Sequence, residues 1–186
     1  MLSKSRGFTI VELLIVIVVI AILAAISIVA YNGVQDRATK SRRISDMSTI
    51  VKALELYKAE KGYYPAAQPN SSGGWERSAV NPANFLQALK NDKILSTVPV
   101  DPKNSAPLGS TGAENTFTSY TYYLYTSGSP YGCDTSVYGP VYVLKIEAPG
   151  NAVSYPETPT PGMTCGSLQV NGKNGATPYW VGKTTN

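Results

Sequence analysis

One carboxylate stands at the edge of a long uncharged run: Glu12, in Gly7-Phe8-Thr9-Ile10-Val11-Glu12-Leu13-Leu14. From Leu13 to Tyr31 no residue is charged, and Ser27 is the only plainly polar side chain. A carboxylate held against hydrocarbon costs roughly 3 kcal/mol or more, so Glu12 needs either a partner or an escape to the headgroups by snorkelling. That is ion-pair chemistry in a low dielectric, and little else in the chain competes with it. There is no histidine, which removes the commonest general base and the commonest metal ligand together. No nucleophile–base pair, phosphate loop or metal cluster stands at a recognisable spacing. Asp101, Glu114 and Asp134 are scattered and do not form a calcium-loop pattern. Neither an enzyme nor a bound cofactor or metal is expected. The remaining reactive pair is Cys133 and Cys165. Outside the cytoplasm an even pair reads first as a disulfide, here closing a loop of about 33 residues for roughly 3–4 kcal/mol. Two buried thiols are the alternative.

The elements that must position these groups follow from the hydropathy pattern. At 1.5 Å per helical residue the run from Leu13 to Tyr31 reaches about 28 Å, close to a bilayer's hydrocarbon thickness. It is rich in Ile and Val, poor helix formers in water, but in lipid a lone span must satisfy its own backbone bonds as a helix. Beyond it, Ile44, Met47, Val51, Leu54 and Tyr57 repeat at 3-4-3-3 spacing, one apolar stripe on a helix. Arg37, Lys40, Arg42, Arg43, Asp46, Lys52, Glu55, Lys58 and Glu60 are assigned to the other faces. The basic cluster Arg37, Lys40, Arg42 and Arg43 is expected to be solvated or paired with carboxylates such as Asp36, Asp46 and Glu55. Gly33 is a possible kink, and Gly62, with Pro65 beyond, a plausible stop. One helix from about residue 8 to 61 is therefore predicted, about 80 Å long. A short second helix is expected at 82–91, with Asn81 as N-cap and Pro82 in its first turn. Strands are expected at 118–126, 140–147 and 178–181, the first with one solvated face. Together these make an α+β fold, a small antiparallel sheet packed on the amphipathic half of a long helix.

The chain has 186 residues and a formal net charge of +4, room for one small domain with its anchor and no argument for a nucleic-acid partner. The leader 1–7 carries Lys4 and Arg6. As a secretion signal the following run is too long, is interrupted by Glu12, and is followed only by a weak Ala25-x-Ser27 site.

At this point the residues resemble a family. A short basic leader followed by Gly7-Phe8-Thr9-Ile10-Val11-Glu12-Leu13 is similar to the class III signal of type IV pilins and the pseudopilins of type II secretion. The similarity is dense over residues 4–31 and architectural beyond them. It implies that a prepilin peptidase in the membrane cuts between Gly7 and Phe8 and methylates the new amine of Phe8. It implies that Glu12 is the assembly carboxylate, pairing with the amine of a neighbouring subunit. The family also often pins its C-terminal region by a disulfide. Two departures stand out: no proline interrupts the apolar half, and more positive charge follows the span than precedes it, against the positive-inside rule.

On this reading residues 1–7 are a leader, 8–31 a transmembrane and filament-core half-helix, 32–61 an amphipathic half, and 62–186 a globular head. The function implied is that of a structural subunit of a type IV pilus-class extracellular filament. The alternatives are a pseudopilin of a type II secretion or competence system, and a monomeric anchored binding protein. The partners implied are further copies of the chain, the prepilin peptidase, an inner-membrane assembly platform and the cytoplasmic membrane. The head would lie outside, first on the membrane and then in an extracellular pilus or periplasmic pseudopilus. The stretch Ile94–Lys103 looks like the approach to the sheet in major pseudopilins, which keeps the first alternative in view.

Overall fold

The structure, a computed structural model, describes residues 9–68, 74–105, 118–129, 134–147 and 179–183, the last by backbone alone. The chain divides into two compact units, Met1–Thr39 and Lys40–Asn186. Helix α1 runs Ile10–Lys61, so the division falls within it.

In the first unit α1 is apolar all round from Leu13 to Tyr31. Ile10, Leu13, Ile17, Ile20, Leu23 and Ile28 are all exposed. The stretch is long and apolar enough to cross a membrane. The one plainly polar side chain between Leu13 and Tyr31 is self-satisfied: the Ser27 hydroxyl donates to the Leu23 carbonyl at 2.8 Å. That back-bond lets a hydroxyl sit in hydrocarbon without an orphan donor. Gly33 lies inside the continuous helix, and a Cβ there would meet nothing within 4 Å.

In the second unit the helix is apolar on one side only. Met47, Ile50, Val51, Leu54 and Tyr57 are buried, each worth about 1.5–3 kcal/mol. Two positions correct the expected stripe. Ile44 is only half-buried, and Arg43, assigned to a solvated face, is buried. The helix stops as expected. Gly62 adopts φ 82° and donates its N–H to the Lys58 carbonyl at 2.8 Å, a left-handed cap that glycine enters without strain.

The sheet is a four-stranded antiparallel meander in the order β1-β2-β3-β4. Its strands are β1 (Glu76–Arg77), β2 (Ser119–Tyr125), β3 (Val141–Glu147) and β4 (Tyr179–Lys183). The three expected strands are present, and β1 is an addition to them. One face of the sheet packs Tyr120, Tyr122, Tyr142, Leu144 and Ile146 against the α1 stripe, with Phe85 and Leu89 completing the core. Contrary to the expected solvated face, the other side of β2 and β3 is also largely buried: Thr121, Val141 and Val143 are inaccessible, and Trp75, Tyr123 and Tyr125 cluster over the valines. Lys145 crosses the Trp75 ring at 4.0 Å.

The second helix is shorter than expected. α2 spans Gln87–Asn91, and Leu86, not Asn81, precedes it, at φ 46°. The reason is nonlocal. The Leu86 N–H donates to the Glu76 carboxylate at 2.6 Å, which holds residues 82–86 in turns. α3 (Thr135–Tyr138), a single turn, is capped by Asp134, whose carboxylate accepts the Ser136 N–H at 2.8 Å.

Candidate assembly site

Thr9 is the residue just before α1, and Glu12 sits three residues on. The Thr9 N–H and its hydroxyl both donate to Glu12 Oε2, at 2.8 and 2.6 Å, and the Glu12 N–H donates to Thr9 Oγ1 at 3.3 Å. This is a capping box, in which side chain and backbone satisfy each other's unpaired groups at a helix start. The helix dipole favours a carboxylate at that end as well. The partner that Glu12 needs is thus supplied in part by its own chain. Both Thr9 bonds converge on Oε2, and among the described residues Oε1 accepts none. One oxygen therefore remains to receive a cationic N–H from elsewhere.

The spacing Thr9-x-x-Glu12 is the sequence signature of this box. The sequence alone pointed to a partner for Glu12 on another chain and not to Thr9. The bond between Gly7 and Phe8 lies outside the described residues, as do Cys133 and Cys165.

The second unit holds its own buried polar groups. Arg43 grips Asp101 with Nε at 2.7 Å and a second nitrogen at 3.0 Å, both side chains being inaccessible. Asp101 Oδ1 also accepts the Lys103 N–H at 2.9 Å, so the pair ties the segment before the sheet to α1. A signal for this was present: Arg43 stands four residues before Met47 and so falls on the core stripe. The basic cluster consequently does not act as one group. Arg37 and Arg42 are exposed, and Arg42 approaches Asp46 only at 3.8 Å. Asp46 accepts the Tyr120 hydroxyl at 2.8 Å. Burial first, then this carboxylate, holds the Tyr120 hydroxyl well above its ordinary pKa. Arg77 pairs with Glu147 at 2.8 Å, and Thr121 and Lys145 donate to the same carboxylate at 3.0 and 2.9 Å.

Glu76 differs from these acids. It is buried, accepts the backbone N–H of Gln68 at 2.9 Å as well as that of Leu86, and has no cationic partner among the described residues. Burial raises its carboxyl above the usual range, and the two N–H groups offset only part of that. Among the described residues no cluster of acids or thiols could hold a metal ion. The charged groups of this unit hold the fold together.

An α+β head on a chain that begins with an apolar, carboxylate-capped helix is pilin-like organisation. The comparisons agree. Residues 2–28 match the family described as the prokaryotic N-terminal methylation motif. The type II secretion system core protein G of Escherichia coli K12 is 30% identical over 102 residues, covering 54% of this chain and 68% of that protein. The protein of the same name from Klebsiella michiganensis is 29% identical over 100 residues, covering 54% and 69%. That from Pseudomonas aeruginosa is 29% identical over 99 residues, covering 53% and 68%. No solved structure matches the chain. The chain belongs to the type IV pilin and type II secretion pseudopilin family.

Proposed function

We propose that this chain is a pseudopilin, a structural subunit of the short periplasmic fibre of a type II secretion apparatus, and not an enzyme. One observation carries the choice over an extracellular pilus. The methylation motif, residues 2–28, is common ground for both, but the likeness to core protein G extends over 102 residues. The pilus reading keeps only the family-level support.

In this reading residues 1–7 are a cytoplasmic leader and residues 8–31 cross the cytoplasmic membrane. Residues 32–61 carry the amphipathic half of the helix, and residues 62–186 form the head on the far side. The prepilin peptidase removes the leader after Gly7, and the amine of Phe8 is methylated. Glycine suits that position because an extended backbone without a side chain enters a narrow protease site. The new amine is a cation in a low dielectric, and the open Oε1 of Glu12 on a neighbouring copy neutralises it. The match sets how far each subunit advances at the assembly platform, as buried polar groups fix register elsewhere. Cys133 and Cys165 close a disulfide in the head.

N-terminal sequencing and intact mass of the membrane-extracted protein test the processing. A start at Phe8 with a methylated amine is expected; an intact Met1, or a start near Ile28, would sink the reading. Deleting the gene and following exported enzymes separates the two fibres: loss of secretion with surface fibres intact is expected, and the reverse favours a pilus.

A further inference from the structure

Of the basic cluster singled out in the sequence, Arg37 alone falls in the first unit of the chain. The roles assigned above leave it unused. Arg43 is spent on Asp101 and Arg42 leans to Asp46. Arg37 is exposed and makes no ion pair among the described residues, and the same holds for Asp36 beside it. Consecutive helical residues point about 100° apart and do not face each other, so the two do not neutralise one another.

Their height on α1 says what they meet. Tyr31 closes the uncharged run and is exposed. Its hydroxyl accepts a side-chain N–H of Gln35 at 2.9 Å. Gln35 lies one turn further on, so the bond turns the polar tip of the ring out of the apolar run, the posture of an aromatic residue at a membrane surface. Exposed Val34 and then Arg37 follow Tyr31 at three-residue spacing, a ring, a valine and a guanidinium in one row along the helix. Asp36 and Arg37 stand five and six residues past Tyr31, about 7–9 Å along the axis. A headgroup layer is roughly 5–7 Å deep on each side of the hydrocarbon, and helical side chains lean back toward the N-terminus. Both charged heads are thereby brought to the level of the lipid headgroups.

We propose that Asp36 and Arg37 dock the zwitterionic headgroups of ethanolamine phospholipids while the chain is stored in the membrane. The planar guanidinium of Arg37 grips the lipid phosphate, which it matches with paired N–H bonds. Asp36 accepts N–H bonds from the ethanolamine ammonium. A carboxylate next to a guanidinium complements a layer that carries both signs; a purely anionic layer would repel Asp36. A choline headgroup carries the same charges but has no N–H to donate. This docking rests on the reading in which residues 8–31 cross the membrane.

The test places the full chain in nanodiscs of phosphatidylethanolamine, phosphatidylcholine and phosphatidylglycerol in equal parts, with identical acyl chains. Native mass spectrometry then weighs the lipids retained on the released chain. Phosphatidylethanolamine should be retained about threefold over phosphatidylcholine, the scale of one exposed charge pair. Asp36→Asn should remove that preference. Arg37→Gln should lower retention of every lipid about fivefold, since each carries the phosphate. Equal retention of the ethanolamine and choline lipids by the native chain, or a preference for phosphatidylglycerol above both, overturns the proposal. So does an Asp36→Asn chain that keeps its preference, or an Arg37→Gln chain that holds lipid as the native one does. An unchanged melting temperature of each variant head keeps misfolding out of the comparison. A chain that alkaline carbonate releases from vesicles of the same lipids removes the spanning reading and this docking with it. One that stays inserted but shows no lipid preference removes the docking alone.

Discussion

The two parts of α1 lie on one helix and obey different rules. Up to Val34 the large side chains of the described residues are exposed on every side; from Arg43 to Tyr57 apolar residues are buried along one stripe and, apart from half-buried Ile44 and exposed Leu56, polar residues occupy the rest. The first part is insoluble alone and needs lipid or neighbouring helices. The second finds its apolar partner in its own chain. One continuous element can therefore be designed for two solvents, and what separates them is the angular width of the apolar surface rather than helix propensity.

The sharpest test of that contrast is Arg43→Met. Removing the arginine leaves Asp101 a buried charge without its cation, which costs about 3–5 kcal/mol. Thermal unfolding of the full chain in detergent should show the loss, while membrane fractionation stays unchanged. Arg43→Met with Asp101→Leu should recover most of it; a double variant as unstable as the single would show that the pair is not the cause. Next, Leu54→Ala should destabilise the head by about 2–5 kcal/mol through the cavity it leaves. Leu14→Ala, an equal truncation in the first part, should leave head stability within about 0.5 kcal/mol. Equal losses at the two sites would erase the distinction between the parts.

A smaller effect is expected at Glu76. Its raised pKa means that the folded head binds this proton more tightly than the unfolded chain does. The stabilising contribution is full below the ordinary carboxylate range and is lost as pH rises through the raised folded value. Melting temperature against pH should therefore fall more steeply over that interval for the native chain than for Glu76→Gln. Parallel curves would mean that the carboxylate is better compensated than its two N–H bonds indicate. The smallest effect is Thr9→Ala, about 1 kcal/mol of helix-start stability, read as faster amide exchange at residues 10–13 with the head unchanged.

Much of this was legible in the sequence because it is local. The 3-4 spacing from Met47 to Tyr57, the glycine after Lys61 and the aromatic, β-branched runs at β2 and β3 each specify their element within a few residues. What was missed depends on distant partners. β1 is two residues long and exists because Glu76 and Arg77 register against Tyr122 and Thr121 of β2. α2 loses its expected first turn because Leu86 answers to Glu76. Arg43 looked like a surface cation because Asp101, 58 residues away, cannot be seen from helical spacing. Of the candidate site, the type and place of Glu12 were plain. Its geometry was not, because the signature formed with Thr9 was read only as a leader motif.

The cap at the start of α1 has a further consequence under the proposed assembly. By occupying Oε2 twice over, Thr9 fixes the plane of the Glu12 carboxylate and the direction in which Oε1 faces. A freely rotating carboxylate would meet an incoming amine in many orientations; a held one offers the same oxygen each time, so the cost of ordering it falls on the single chain before any copy arrives.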